Sequence, residues 1–167
     1  MNKKILLATS LFILFSECHK KETTRLENYL KLFHYNIYDY KVICIVPADG
    51  FGICINPSLT YAKDPREDFL LVLSSKYKKS IEHTVERLQI YNEKFISDSQ
   101  DLANEMGLVS IYSPCYYFLR YGKVVKKIDL SETGNKTEII DEVEQYFIAE
   151  DAHLKEMQEI EILSNQK

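Results

Sequence analysis

Four cysteines, at positions 18, 44, 54 and 115, are the side chains of this sequence best suited to covalent chemistry. A thiolate can attack a disulfide or a peroxide, and two thiols one helical turn apart can cycle through a disulfide. These four are too widely spaced for a Cys-based zinc site. His19, His34, His83 and His153 share no ligand spacing either, so no metal and no other cofactor is expected. No Ser-His-Asp order accompanies a nucleophile elbow, and Gly50-x-Gly52 is too short for a phosphate loop. Cys44 lies inside the apolar run Val42–Val46 and reads as core. Cys115 follows Pro114 in a stretch crowded by Tyr112, Tyr116, Tyr117 and Tyr121. Such tyrosines are either alternating core and rim positions of a strand or an aromatic surface suited to a peptide.

The fourth cysteine belongs to an address. Met1-Asn2-Lys3-Lys4 is a positive head, followed by the uncharged run Ile5–Phe15. A spanning helix needs about 20 apolar residues, so this run fits a signal-peptide core rather than a membrane span. Phe15-Ser16-Glu17-Cys18 directly after it resembles the lipobox of bacterial lipoproteins, with Phe15 and Glu17 as departures. The resemblance implies lipidation of Cys18 and cleavage before it, giving an exported, membrane-anchored domain in the cell envelope. An incidental Cys18 in an ordinary secretory signal is the plainer alternative. His19 after the anchor leans toward the outer membrane where there is one. The remainder carries 19 basic and 24 acidic side chains, a balance of −5. With lysines and arginines scattered, no nucleic-acid footprint is present.

The elements that must position these residues follow from periodicity. Over the whole chain of 167 residues, 46% hydrophobic and 28% charged, the composition is that of one globular domain. Helical spacing is expected over Glu22–Phe33, a buried strand over Lys41–Val46, a helix from about Phe51 to Ala62 and a second buried strand over Asp68–Leu73. Ser80–Leu88 reads as an amphipathic helix and Glu93–Ile96 as a short strand. Asp98–Met106 reads as a short helix ended by Gly107 in a left-handed cap. Cys115–Leu119 and Lys123–Ile128 flank Arg120-Tyr121-Gly122, which makes an antiparallel hairpin with a Gly turn. Asn135 and Glu138 start a last helix whose pattern turns charged beyond Glu150. Parallel strands joined by helices and closed by an antiparallel hairpin make an α/β sandwich.

That order, with two motifs, resembles the thioredoxin fold. It looks most like the bacterial thioredoxin-like lipoproteins related to thiol–disulfide interchange proteins. Val42–Ile55 (VICIVPADGFGICI) is similar to the family's central strand and Gly-Cys-x-x-Cys helix start, and Ser113–Ile128 to its cis-Pro and hairpin, with Pro114 at the cis-Pro position. The implied fold is a three-layer sandwich with a mixed central sheet. Its divisions are a signal peptide over 1–17, a lipidated tether and helix over 18–37, the thioredoxin-like domain over 38–148 and, over 149–167, a charged stretch that either extends as an exposed helix or frays into a tail.

The departure lies at the chemistry. Phe51 stands where the family has its nucleophilic cysteine, and Cys54 occupies the resolving position. A phenyl ring neither attacks a disulfide nor holds one, so conventional dithiol exchange through this box is excluded. Pro47 seven residues before Cys54 resembles peroxiredoxin spacing, but Phe51 replaces the threonine that would hold peroxide. Two functions are therefore expected in competition. The first is a non-catalytic module binding a protein or peptide through Phe51, Gly52, Tyr112, Ser113 and Pro114. The alternative is an atypical thiol–disulfide oxidoreductase using Cys54, with Cys115 as a neighbour across the Pro114 loop.

Overall fold

The computed structural model describes residues 19–49, 66–90, 95–131 and 138–164. A helix over residues 19–32 (α1) buries Leu26, Tyr29 and Leu30, the spacing of one helical stripe. A 3-10 turn at Ile37–Asp39 is capped by Asn36, whose side chain accepts from the Tyr38 amide. There follow β1 (Val42–Pro47), β2 (Phe69–Ser74), α2 (Lys78–Leu88), β3 (Phe95–Asp98) and α3 (Leu102–Glu105). The hairpin strands β4 (Cys115–Arg120) and β5 (Lys123–Asp129) lead to the long helix α4 (Glu138–Ser164). The expected helix near 51–62 and the Asn135 start signal lie outside the described residues.

The five strands form one mixed sheet in the order β3-β2-β1-β4-β5. β1 pairs parallel with β2 and β2 with β3, while β4 is antiparallel to both β1 and β5. Every position of β1 and of β2 is buried, which explains the unbroken apolar runs VICIVP and FLLVLS. Alternation still sorts them by face. Val42, Cys44 and Val46 join Tyr116 and Phe118 under α2 and α4, with Ile81, Leu88, Val143 and Phe147. Ile43 and Ile45 join Tyr117 and Leu119 under α1 and α3, with Leu26, Tyr29 and Ala103. The sheet is thus covered on both faces.

Two backbone devices hold the corners. Gly107 (φ 66°) ends the α3 turn in the expected left-handed conformation. Tyr121 (φ 50°) and Gly122 (φ 69°) give the two-residue turn whose twist matches antiparallel strands. α4 does not fray after Glu150 but continues to Ser164 with its surface exposed.

Candidate functional site at the carboxyl edge of the sheet

The chain winds from β1 to β2 to β3 in one direction, then returns past β1 to β4. Winding therefore reverses between β1 and β4, and open α/β sheets place ligands beside the strand carboxyl ends at such a reversal. Here β1 runs out through Pro47, Ala48 and Asp49, and β4 begins with Cys115 opposite Ile45. The turn Ser110–Pro114 consequently lies against the end of β1.

The turn is closed by an antiparallel bridge between Ser110 and Ser113. Ile111 and Tyr112 at its tip are exposed, Tyr112 by 66%, while Ser113 and Pro114 are buried. The Ser113 Oγ has no hydrogen-bond partner, which is costly for a buried hydroxyl. Pro114 accepts from the Leu130 amide at 3.0 Å. Its preceding peptide bond is trans, contrary to the expected cis-Pro, and no cis bond occurs among the described residues. The Ser110–Ser113 bridge already reverses the chain, so the ordinary trans isomer, favoured by about 0.5–1 kcal/mol before proline, suffices.

Tyr112, Ser113 and Pro114 are thus brought together at this edge. Cys115 turns away from it, fully buried among the side chains under α1. Burial pushes its thiol up to about 12, although Lys127 pulls the other way. Cys44 lies under the opposite face and is raised still further, chiefly by burial. Both thiols are free, and side chains on opposite faces of a sheet cannot be joined by a disulfide. Tyr116 and Tyr117 are buried, so of the four tyrosines only Tyr112 and Tyr121 contribute to the surface. Phe51, Gly52, Cys54 and Cys18 lie outside the described residues.

The sequence reading missed a polar network along the same edge. The buried Asp98 carboxylate, at the end of β3, accepts from the Tyr29 hydroxyl (3.1 Å) and the Leu102 (3.1 Å) and Ala103 (2.9 Å) amides. Ser74 Oγ lies 2.9 Å from the same carboxylate. Burial and the Asp98 charge both raise the Tyr29 phenol. These donors saturate Asp98, which ties α1, β2 and α3 together. Ser75 Oγ donates to Asp49 (2.6 Å) and accepts from the Tyr77 amide (2.8 Å), joining the ends of β1 and β2. The N-cap position of α3, Asp101, makes no side-chain cap bond, and Asp98 accepts from the first two helical amides from four residues ahead of Leu102, a placement that no sequence signal marks.

The opposite edge carries ion pairs. Lys41 meets Asp68 (3.0 Å) and Asp151 (2.5 Å), and Arg66 meets the same two carboxylates at 3.0 Å each. Arg66 also stacks 4.3 Å above the Phe147 ring. Among the described residues no group of three His, Cys, Asp or Glu could hold a metal ion, and no helix is long and apolar enough to cross a membrane. No protein-family model, curated protein or solved structure matches the chain.

Proposed function

We propose that this chain is an exported, lipid-anchored, thioredoxin-like domain without a nucleophilic cysteine, serving as a non-catalytic module that binds a protein or peptide at the carboxyl edge of its sheet. The observation that carries the reading is the arrangement β2-β1-β4-β5 with its reversal between β1 and β4. That is the strand arrangement the resemblance implies, and it sets the Ser113–Pro114 turn beside the point where the chain leaves β1 toward Phe51-Gly52-Ile53-Cys54. The exposed pair Ile111 and Tyr112 gives this edge an apolar contact surface. Deep burial of Cys115 and its raised pKa speak against the oxidoreductase alternative.

The test is reduction of insulin disulfides by dithiothreitol, with and without the protein. The native chain leaves the rate at background. Phe51→Cys forms an internal disulfide with Cys54, mapped by mass spectrometry, and accelerates the reaction. Acceleration by the native chain would refute the non-catalytic reading, and failure of positions 51 and 54 to bridge would refute the fold assignment. Photo-crosslinking from position 112 in the intact envelope captures a discrete protein, whereas position 125 on β5, exposed but remote, does not.

A further inference from the structure

We propose that the outer edge of β3 is a second binding surface, which takes an extended peptide segment as a further strand of the sheet and seats one of its apolar side chains beside the end of α1. The two edges of the sheet are finished differently, and the β5 edge is closed. Thr23 Oγ1 accepts from the Val124 amide at 3.0 Å, which occupies a main-chain donor of that strand. Lys123, Lys126 and Lys127 stand along it, and its register against β4 shifts between Phe118 and Leu119. A bonded amide, lysines and a bulge are devices that keep an edge strand from taking a partner.

β3 has none of these devices. Phe95-Ile96-Ser97-Asp98 pairs with β2 in unbroken register and contains no lysine or proline. Successive residues of a strand turn their N–H and C=O groups to opposite sides. The Asp98 carbonyl accepts from the Ser75 amide, so Asp98 and Ile96 direct their main-chain groups toward β2. Those of Phe95 and Ser97 therefore point away from the sheet, where no main-chain partner meets them among the described residues. The Ser97 side chain is exposed as well. Donors and acceptors at strand spacing are matched by one chemistry, the main chain of another extended segment. The charge on β3 does not oppose it, because Asp98 points inward and is saturated by Tyr29, Ser74 and two amides.

The side chains beside the edge define what the segment carries. Ile96 and Asp98 face α1, so an added residue level with Asp98 points to the same side. There Leu32, Phe33 and Leu102 wall a cleft of about 290 Å³ whose rim is Ser97, Ser99 and Gln100. Leu32, at the end of α1, is 58% exposed and free to cover an incoming side chain. Asp98 is the one charged residue described in the lining, and it is already engaged. The fitting segment is thus extended and uncharged, with large apolar residues at alternate positions and small polar ones between them. A second copy of the chain fits less well. Pairing two Ser97 residues about a two-fold axis sets Ile96 level with Asp98, and Ile96 is already buried in its own core. Four-residue strands also fall far short of the roughly 1,200 Å² that stable interfaces bury. β2 and β1 separate this edge from the Ser110–Pro114 turn, so the surface is independent of the function proposed above.

Amide exchange followed by NMR in the full isotope-labelled chain, kept in detergent micelles, tests the edge first. The Ser97 amide is expected to exchange within about tenfold of an unstructured chain, and those of Ile96 and Asp98 at least about 10³-fold more slowly. A Ser97 amide as slow as its neighbours overturns the proposal, because the edge is then covered. The probe is the acetylated and amidated heptapeptide Thr-Thr-Leu-Thr-Leu-Thr-Thr. At millimolar concentration it is expected to slow the Ser97 amide by about tenfold or more. Methylating one alternate set of its main-chain nitrogens abolishes that protection, whereas methylating the other set spares it, as strand pairing requires. No protection by the peptide, or equal effects of the two methylated sets, overturns the proposal. Ser97→Pro removes an outward N–H, a change that edge strands tolerate, and is expected to weaken binding by about tenfold or more. Leu32→Ser is expected to weaken it by about tenfold. Unchanged affinity in both variants overturns the proposal. Loss of binding in Tyr112→Ala but not in Ser97→Pro overturns it in favour of the Ser110–Pro114 turn. A dimer seen by sedimentation without peptide, and broken by Ser97→Pro, overturns it in favour of a second copy. If Ser97→Pro unfolds by circular dichroism, the two methylated peptides decide the question with the native chain.

Discussion

Alkylation of Cys115 is the sharpest check on the claim that no working thiol stands in the described fold. Its thiol is fully buried and pushed up to about 12. At about pH 8 such a group is ionised in about one molecule in 10⁴, against about one in four for an ordinary cysteine, a deficit of more than about 10³. Reaction after opening of the fold is no faster. If the stability is about 5–15 kcal/mol, the open population is about 10⁻⁴ or less. Both routes therefore predict iodoacetamide labelling of Cys115 at least about 10³-fold slower than labelling of glutathione. Mass mapping after timed quenching separates Cys115 from Cys44 and Cys54. Reaction in the closed fold makes the rate at Cys115 climb above about pH 9, where an ordinary thiol has levelled off, whereas reaction through opening stays slow and levels off as glutathione does. Labelling within about tenfold of glutathione, levelling off near pH 8.5, would refute the reasoning, because it requires an accessible thiolate.

Asp98→Ala leaves the buried Tyr29 hydroxyl and the Leu102 and Ala103 amides without their acceptor. It should cost about 3 kcal/mol or more in urea unfolding, Asp98→Asn costing less because one oxygen remains; a loss below 1 kcal/mol counts against the network. Gly122→Ala places a Cβ 2.6 Å from the Tyr38 ring and at φ 69°. A destabilisation of about 1–2 kcal/mol is expected from the backbone alone. The exposed ring can swing aside, so adding Tyr38→Ala should recover little of the loss. Acid should weaken the ion-pair edge. Burial raises the Asp68 carboxyl, but Arg66 and Lys41 outweigh it and hold it low. Lys41, and then Arg66, hold Asp151 low against a smaller effect of burial. Groups depressed in the folded state contribute stability above their unfolded value of about 4, and lose it as pH falls through the folded one. The urea midpoint should therefore drop below about pH 4, and drop less in Asp151→Asn; identical acid profiles would dismiss the network.

The strands were readable because both faces of this sheet are covered. A strand buried on each side needs apolar residues at every position, and VICIVP and DFLLVL show that without ambiguity. The hairpin was readable for a different reason. Tyr121-Gly122 must take positive φ at both places, and a glycine there marks the turn directly. The Pro114 geometry was not readable, because a proline permits either isomer and only the neighbouring Ser110–Ser113 bridge removes the need for the rarer one. Asp98 was missed since its partners come from positions 29, 74, 102 and 103, a convergence that no local pattern records. Arg66 and Asp151 share the same character, being 85 residues apart.

The two ends of the sheet differ in what their side chains are engaged with, and that difference separates the proposed binding edge from the place where the chain enters. At the carboxyl edge Asp98 is satisfied by α1 and α3, and Asp49 by Ser75. Ile111, Tyr112 and Tyr77 stand outward there, with the unpartnered Ser113 hydroxyl behind the first two. At the opposite edge Lys41, Arg66, Asp68 and Asp151 neutralise one another. Outward from it stand Tyr38 and Tyr121, near the place where the chain enters. A tether at that end would hold the Tyr112 surface away from the bilayer by the length of the strands, about 20 Å for six residues. A binding edge lying against the membrane would be closed to a protein partner. Facing the other way, it is open to one, and the start of α1 at the opposite end is consistent with the proposed binding edge.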